Sequence, residues 1–168
     1  MEVAQILGIL AVILFLLSYQ FKTRRNIIVV NIISRAFYVL QYIFLGAFEG
    51  AIFDCIGIVA SFIAKNKKRE KIAKHITTIF VIIGGVLLAA GIYLYEDGYS
   101  IFALLGIFFE ITAFFVTRPA GIRLVSLIAA PLWFVYNFAN EAYGSAIGNV
   151  LIIISIVLAM IRLDKKRR

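Results

Sequence analysis

Apolar residues run along this chain in seven long blocks separated by short polar turns. The blocks cover residues 3–21, 27–45, 50–64, 76–95, 99–116, 122–139 and 144–161. Runs of about 18 or more mostly apolar residues read as membrane-spanning helices, because lipid offers the backbone no hydrogen-bond partners. The pattern predicts an all-α integral membrane protein of seven transmembrane helices, the third of them short for a full crossing. The turns are too brief to hold a separate soluble domain.

The pattern also repeats. Residues 18–67 and 113–162 lie over one another without a gap at an offset of 95. Ala47, Ala51 and Ile52 recur as Ala142, Ala146 and Ile147, while Phe48 becomes Tyr143 and Asp54 becomes Asn149. The expected plan is therefore three helices, one helix, three helices. Residues 1–64 form a first repeat, 65–98 a basic loop plus linker helix, and 99–168 a second repeat with a basic tail. An odd linker lets both repeats insert with the same orientation, as in transporters built from parallel halves around a midplane site. The linker has no counterpart in either half, and its Gly84 and Gly85 are expected to permit close backbone approach to a neighbour.

Composition agrees. Hydrophobic residues make up 63% of the chain and the mean hydropathy is +1.01, which leaves too little polar surface to clothe a soluble domain. The net charge of +8 is no nucleic-acid signature, because its distribution follows membrane orientation. Lys22, Arg24, Arg25, the stretch 65–74, Arg118, Arg123, Arg162 and residues 165–168 fall at alternate connections. The opposite connections carry Glu2, Glu49, Glu96, Asp97 and Glu141. That split predicts the N-terminus outside and the C-terminus in the cytoplasm. The opening segment lacks a basic flank and is expected to stay in place as a helix. Cys55, the single cysteine, is expected to be a packed thiol. The basic stretch 65–74 is either an orientation anchor or a surface for anionic lipid head groups or a soluble partner.

The run at residues 17–58 has an SYQ segment leading into a basic loop, an aromatic-rich second helix, an LGAF-G-A turn, and Asp54 four positions past Gly50. In these features it resembles the YgjV family of small bacterial inner-membrane proteins. The 3–1–3 plan resembles the PQ-loop and SWEET-type transporters and the vitamin carriers for nicotinamide riboside. The Pro-Gln pair of the PQ-loop pattern is absent: Pro131 is followed by Leu132, and Ala36 stands in its place in the first half. The resemblance implies a multi-pass protein of the prokaryotic cytoplasmic membrane and an architecture more than a reaction.

Polar groups inside spanning helices are costly and face the bundle interior, which makes them the functional candidates. Asn31, Arg35, Tyr38 and Tyr42 share one face of the second helix. The sixth helix repeats that face as Ser126, Ala130, Trp133 and Asn137, and the third and seventh helices add Asp54 and Asn149. Both sets are expected to converge on one cavity around a small polar solute, with Arg35, Tyr38, Asp54, Trp133, Asn137 and Asn149 as the binding residues. SWEET-type carriers are similar here, with an Asn pair on their third helices; Asp54 in place of one Asn argues against a neutral sugar. Arg35 and Asp54 form either an internal ion pair, which offsets the cost of burying each, or a contact for a substrate carboxylate or phosphate. Glu110 and Asp54 are candidates for proton coupling; the plain alternative for Glu110 is a hydrogen-bonded carboxyl within the bundle. Pro131 is a candidate hinge, and Gln41 and Tyr136 candidate gates at the outer mouth. Gly144 and Gly148 read as a helix-packing pair.

Enzyme readings fare poorly. Cys55 and His75 are each alone of their kind, so neither a metal cluster nor a Ser-His-carboxylate set is expected, and no glycine-rich nucleotide loop is present. No cofactor is expected. The leading expectation is a passive or proton-linked carrier in the lipid bilayer for a small polar metabolite, for which a monomer suffices. The alternative is a non-transporting sensor or scaffold that acts through its basic loop.

Overall fold

A computed structural model of the protein describes residues 2–46, 48–95, 98–139 and 143–164. Several positions used above, namely Ala47, Glu96, Asp97, Glu141, Ala142 and residues 165–168, lie outside the described residues, as do the side chains of Glu2, Glu49 and Tyr143. The described secondary structure is helical: α1 (Glu2–Ser18), α2 (Arg24–Leu45), α3 (Phe48–Lys65), α4 (Glu70–Ala73), α5 (Ile76–Tyr93), α6 (Ser100–Phe115), α7 (Pro119–Ala139) and α8 (Tyr143–Ala159), which runs on into a π-helical turn, Met160–Asp164. The short α4 falls within the basic stretch that the sequence suggests is a loop.

Local chemistry sets the ends of α2. The Thr23 hydroxyl accepts from Asn26 N at 3.4 Å, and Gly46 closes the helix at φ 73°, a left-handed conformation that glycine adopts without steric cost. Length and composition suffice for a membrane crossing in four segments: Arg24–Phe44, Ile76–Tyr93, Pro119–Ala139 and Gly144–Asp164. Val3–Ser18 and Ser100–Phe115 are apolar but shorter. Sixteen residues rise only about 24 Å, against a hydrocarbon core of about 30 Å. α3 carries Glu49, Asp54 and Lys65 within its 18 residues, which lowers its hydropathy.

α1 packs on α2 and α2 on α3; α6 packs on α7 and α7 on α8. The two groups meet where α1 lies against α8 and α3 against α6. A core of Phe53, Ala60, Ile107 and Ile111 fills the α3–α6 seam, with Leu87 of α5 against it. Large apolar side chains face outward on these helices, among them Ile9, Phe62, Val81, Ile92 and Ile147. Water would penalise so much apolar surface, whereas lipid tails match it.

Three packing expectations need correction. A Cβ on Gly84 or Gly85 would meet nothing within 4 Å, so neither marks a close approach; Gly91 does, its would-be Cβ lying 2.8 Å from Leu104. Only Gly148 of the Gly144/Gly148 pair touches a neighbour, with Val12 at 3.3 Å. Cys55 is exposed rather than packed, because it sits beside Asp54 on the flank of α3 turned away from the other helices.

Candidate functional site

The polar face of α2 turns inward. Arg35 is 1% exposed; Nε and Nη1 of its guanidinium are hydrogen-bonded and Nη2 is ion-paired. Nε donates to Asn31 Oδ1 one turn earlier at 3.0 Å, and Nη1 donates to Asp54 Oδ1 of α3 at 2.5 Å. Nη2 lies 2.8 Å from Glu110 Oε2 of α6. The pair suggested by the sequence is thus a triad of one cation and two carboxylates. A buried charge costs several kcal/mol unless it is paired and hydrogen-bonded, so this arrangement stabilises Arg35. Gly57 makes room for it: a Cβ there would stand 2.5 Å from Nη1.

From the opposite side, Trp133 Nε1 donates to the same Glu110 Oε2 at 3.3 Å, and Gly106 clears space for the indole. Asn137 Nδ2 donates to Asn149 Oδ1 at 2.8 Å, which ties α7 to α8. Tyr38 stacks on Tyr42 with ring centroids 6.1 Å apart. These groups surround a cavity of about 60 Å³. At about 30 Å³ per molecule it has room for two waters. Ser126 Oγ, on the cavity wall and buried, has no hydrogen-bond partner among the described residues.

All six residues expected to bind solute line this cavity, and Glu110 joins them. The hinge and gate candidates do not. Pro131 lies on an exposed face of an unbroken α7. Gln41 packs over Gly8 in a separate groove between α1 and α8. Tyr136 meets the edge of Trp133, 5.9 Å away and at 78°, and packs against the α3–α6 core. His75 precedes α5, and no metal-ligating group of three occurs among the described residues.

A second constellation escaped the sequence reading. At the basic end, side chains of each sequence repeat hold the last carbonyls of the other's first helix. Arg24 donates from Nε to Val116 O at 2.8 Å and from Nη2 to Phe114 O, and Lys67 donates to Phe115 O. In return Arg123, 1% exposed, donates from Nε to Tyr19 O at 3.0 Å and from Nη2 to Phe21 O at 2.6 Å. Arg162 reaches Gln20 Oε1 at 2.8 Å. The acceptors Tyr19, Gln20 and Phe21 are the repeat equivalents of Phe114, Phe115 and Val116, and Lys67 is the equivalent of Arg162. Arg24 and Arg123 are one helical turn out of register, which is why the alignment hides them. Each arginine also binds the third helix of its own repeat: Arg24 to Ala64 O at 2.6 Å, Arg123 to Asp164 Oδ1 at 2.6 Å. Carbonyls at a helix C-terminus lack intrahelical partners and attract cations, so these ties close both ends at once. Partial burial, with Arg24 and Lys68 nearby, lowers the Lys67 ammonium from the ordinary lysine range. Its tie is accordingly lost earlier than an exposed lysine's as pH rises.

A helical bundle with an apolar exterior, a few charges buried between its helices and the exposed ones gathered at its ends defines an integral membrane protein. The chain belongs to the Imp-YgjV family, bacterial inner membrane proteins, which it matches over residues 2–167. No curated protein and no solved structure matches it.

Proposed function

We propose that the protein is a carrier that moves a small polar solute across the inner membrane by alternating access. One observation carries this reading: Arg35, Asp54, Glu110, Trp133, Asn137 and Asn149, from five helices and both sequence repeats, meet at one cavity. In this reading all seven long helices cross the bilayer as two parallel three-helix repeats, residues 1–64 and 99–168. The linker segment 65–98 joins them, the plan of SWEET-type and PQ-loop carriers. The N-terminus is outside and the C-terminus cytoplasmic. The arginine and lysine ties then seal the cytoplasmic end, while Arg35, about 16 Å further along α2 than Arg24, begins the polar hollow. Tyr42, Asn137 and Ser145 extend that hollow toward the outer end. Transport requires those ties to open when the outer end closes.

The site reads as a binding site rather than an enzyme's. Both carboxylates are bound to Arg35, not to a hydroxyl or thiol that they would activate as a nucleophile.

Counterflow in proteoliposomes preloaded with a fractionated extract of small metabolites tests the proposal. Protein-dependent exchange of a polar solute, abolished by Asn149→Ala, is the expected result. The outcome against it is tight vesicles with no exchange. Cellular function that survives Asn149→Ala but fails when Lys68, Arg69, Lys71 and Lys74, all exposed, are neutralised would instead identify a scaffold acting through its basic loop.

A further inference from the structure

We propose that the cavity takes a small organic cation, a primary ammonium or guanidinium group, seated against Asp54 and Glu110 and under the ring of Trp133. The inference names the ligand class for the site of the carrier reading and rests on that reading only for where the ligand goes next.

Charge is the first argument. Arg35 supplies one positive charge and Asp54 with Glu110 two negative ones, all within ion-pair distance. The other titratable groups on the wall are Tyr19, just past the end of α1, and Tyr38 and Tyr42 from α2, and α7 and α8 contribute only neutral side chains. With both carboxyls ionised the hollow holds one formal negative charge in excess. In a low-dielectric interior such a charge is met either by a proton or by a cationic partner, and a cation that fits the hollow competes with the proton for it.

Donor and acceptor supply is the second argument. Nε, Nη1 and Nη2 of Arg35 are committed to Asn31, Asp54 and Glu110. The Nη1 and Nη2 edge of the guanidinium already faces Asp54 and Glu110, so a carboxylate or phosphate would have to displace one of them from its ion pair and would meet both carboxylates. The acceptors are less used. Asp54 Oδ2 and Glu110 Oε1 stand outside the Arg35 pairs, and the Ser126 hydroxyl, buried and unpartnered, offers another lone pair. Aromatic faces complete the match, since cations are drawn to the ring faces of Trp and Tyr. A volume of about 60 Å³ limits the buried head group to a few heavy atoms.

Trp133 is the only tryptophan and touches Glu110, so its fluorescence reports occupancy directly. The experiment titrates detergent-purified full-length protein with four probes in excess sodium chloride: guanidinium, methylammonium, urea and formate. Urea matches guanidinium in shape without its charge. The expected result is a saturable emission change with guanidinium and methylammonium and none with urea or formate. Glu110→Gln should weaken guanidinium binding by at least about thirtyfold, the loss typical of removing one member of a buried charged contact. If Glu110→Gln does not fold, the Arg35→Gln/Glu110→Gln double variant decides. It keeps the single excess charge on Asp54 and should still prefer guanidinium to urea. Urea or formate binding as well as guanidinium, no response to any probe, or a double variant without preference overturns the proposal. Guanidinium binding without any solute counterflow upholds this site and overturns the carrier. Counterflow of an anion or sugar with no cation response does the reverse.

Discussion

The turns that follow α1 and α6 are gripped in matching ways, by Arg123 with Arg162 in one case and by Arg24 with Lys67 in the other. Deeper in the bundle the two sequence repeats diverge. Where α2 has Arg35, α7 has Ala130; where α3 has Asp54, α8 has Asn149; where α6 has Glu110, α1 has Phe15. The contrast is physical. Tying helix ends together is a geometric task that each half performs for the other at little cost, because the carbonyls at the basic end need donors anyway. A charged hollow tolerates no such duplication: a second arginine opposite Arg35 would place two guanidinium groups in about 60 Å³. Symmetric closure around an asymmetric centre suits the proposed site for one small charged ligand.

The seams between the repeats differ too. α3 and α6 meet through Phe53, Ala60, Ile107 and Ile111, and α5 covers that side. α1 and the turn after it meet α8 through Gln20, which donates to Ser155 O and Oγ at 2.8 Å, and through Ser155, which donates to Leu16 O at 2.9 Å. The linker helix thus lies on the seam that holds this apolar cluster.

The comparison is broken most severely at its centre. Arg35→Leu leaves two buried carboxylates facing each other and should cost about 3–5 kcal/mol, read from unfolding in detergent. Replacing Arg35, Asp54 and Glu110 together by leucine should recover most of that loss, and a triple variant as unstable as the single one would refute the electrostatic account. At the basic end, Arg24→Gln and Arg123→Gln should each cost about 1.5–3 kcal/mol, the range for hydrogen bonds from charged donors. In a Cys55→Ala background both should also raise labelling of Asn31→Cys by an impermeant thiol reagent added on the side of the basic end, and to a similar degree. A change with only one of the two arginines means that the reciprocity is not functional.

Smaller effects sharpen the picture. Gly57→Ala pushes the Arg35 guanidinium out of place and should cost about 1–3 kcal/mol. Gly106→Ala, whose Cβ would stand 3.0 Å from Trp133, should cost less and shift tryptophan emission instead. Gly84→Ala meets nothing within 4 Å and should stay within about 0.5 kcal/mol of the parent, in contrast to Gly91→Ala, which must displace Leu104.

Hydropathy and a 3.6-residue period were enough to place the helices within a few residues and to gather Asn31, Arg35, Tyr38 and Tyr42 on one face. The internal repeat pointed to Trp133, Asn137 and Asn149, all of which line the cavity. Glu110 stood out as a carboxyl in an apolar run, yet its partner was invisible, because the α6–α2 approach is written in no local pattern. Gly57 and Gly106 were missed for the same reason: nothing nearby in sequence says that a guanidinium or an indole will come to rest against them. Pro131 proved to lie away from the cavity, since a proline inside a helix signals an irregularity but not which face it occupies. Arg24 and Arg123 looked like ordinary orientation charges, and only their reach to carbonyls about a hundred positions away distinguishes them.

By itself the sequence determined that this chain is helical, that it belongs in a membrane, and which side chains resist that environment. These follow from local quantities, the hydropathy of a stretch and the angular spacing of its residues. Tertiary structure decided that Arg35 sits between two carboxylates rather than beside one, and that each repeat's cations fasten the other's helix ends. Those outcomes depend on how separate helices approach and cross, and side-chain volumes at the contacts fix that only once the bundle is assembled.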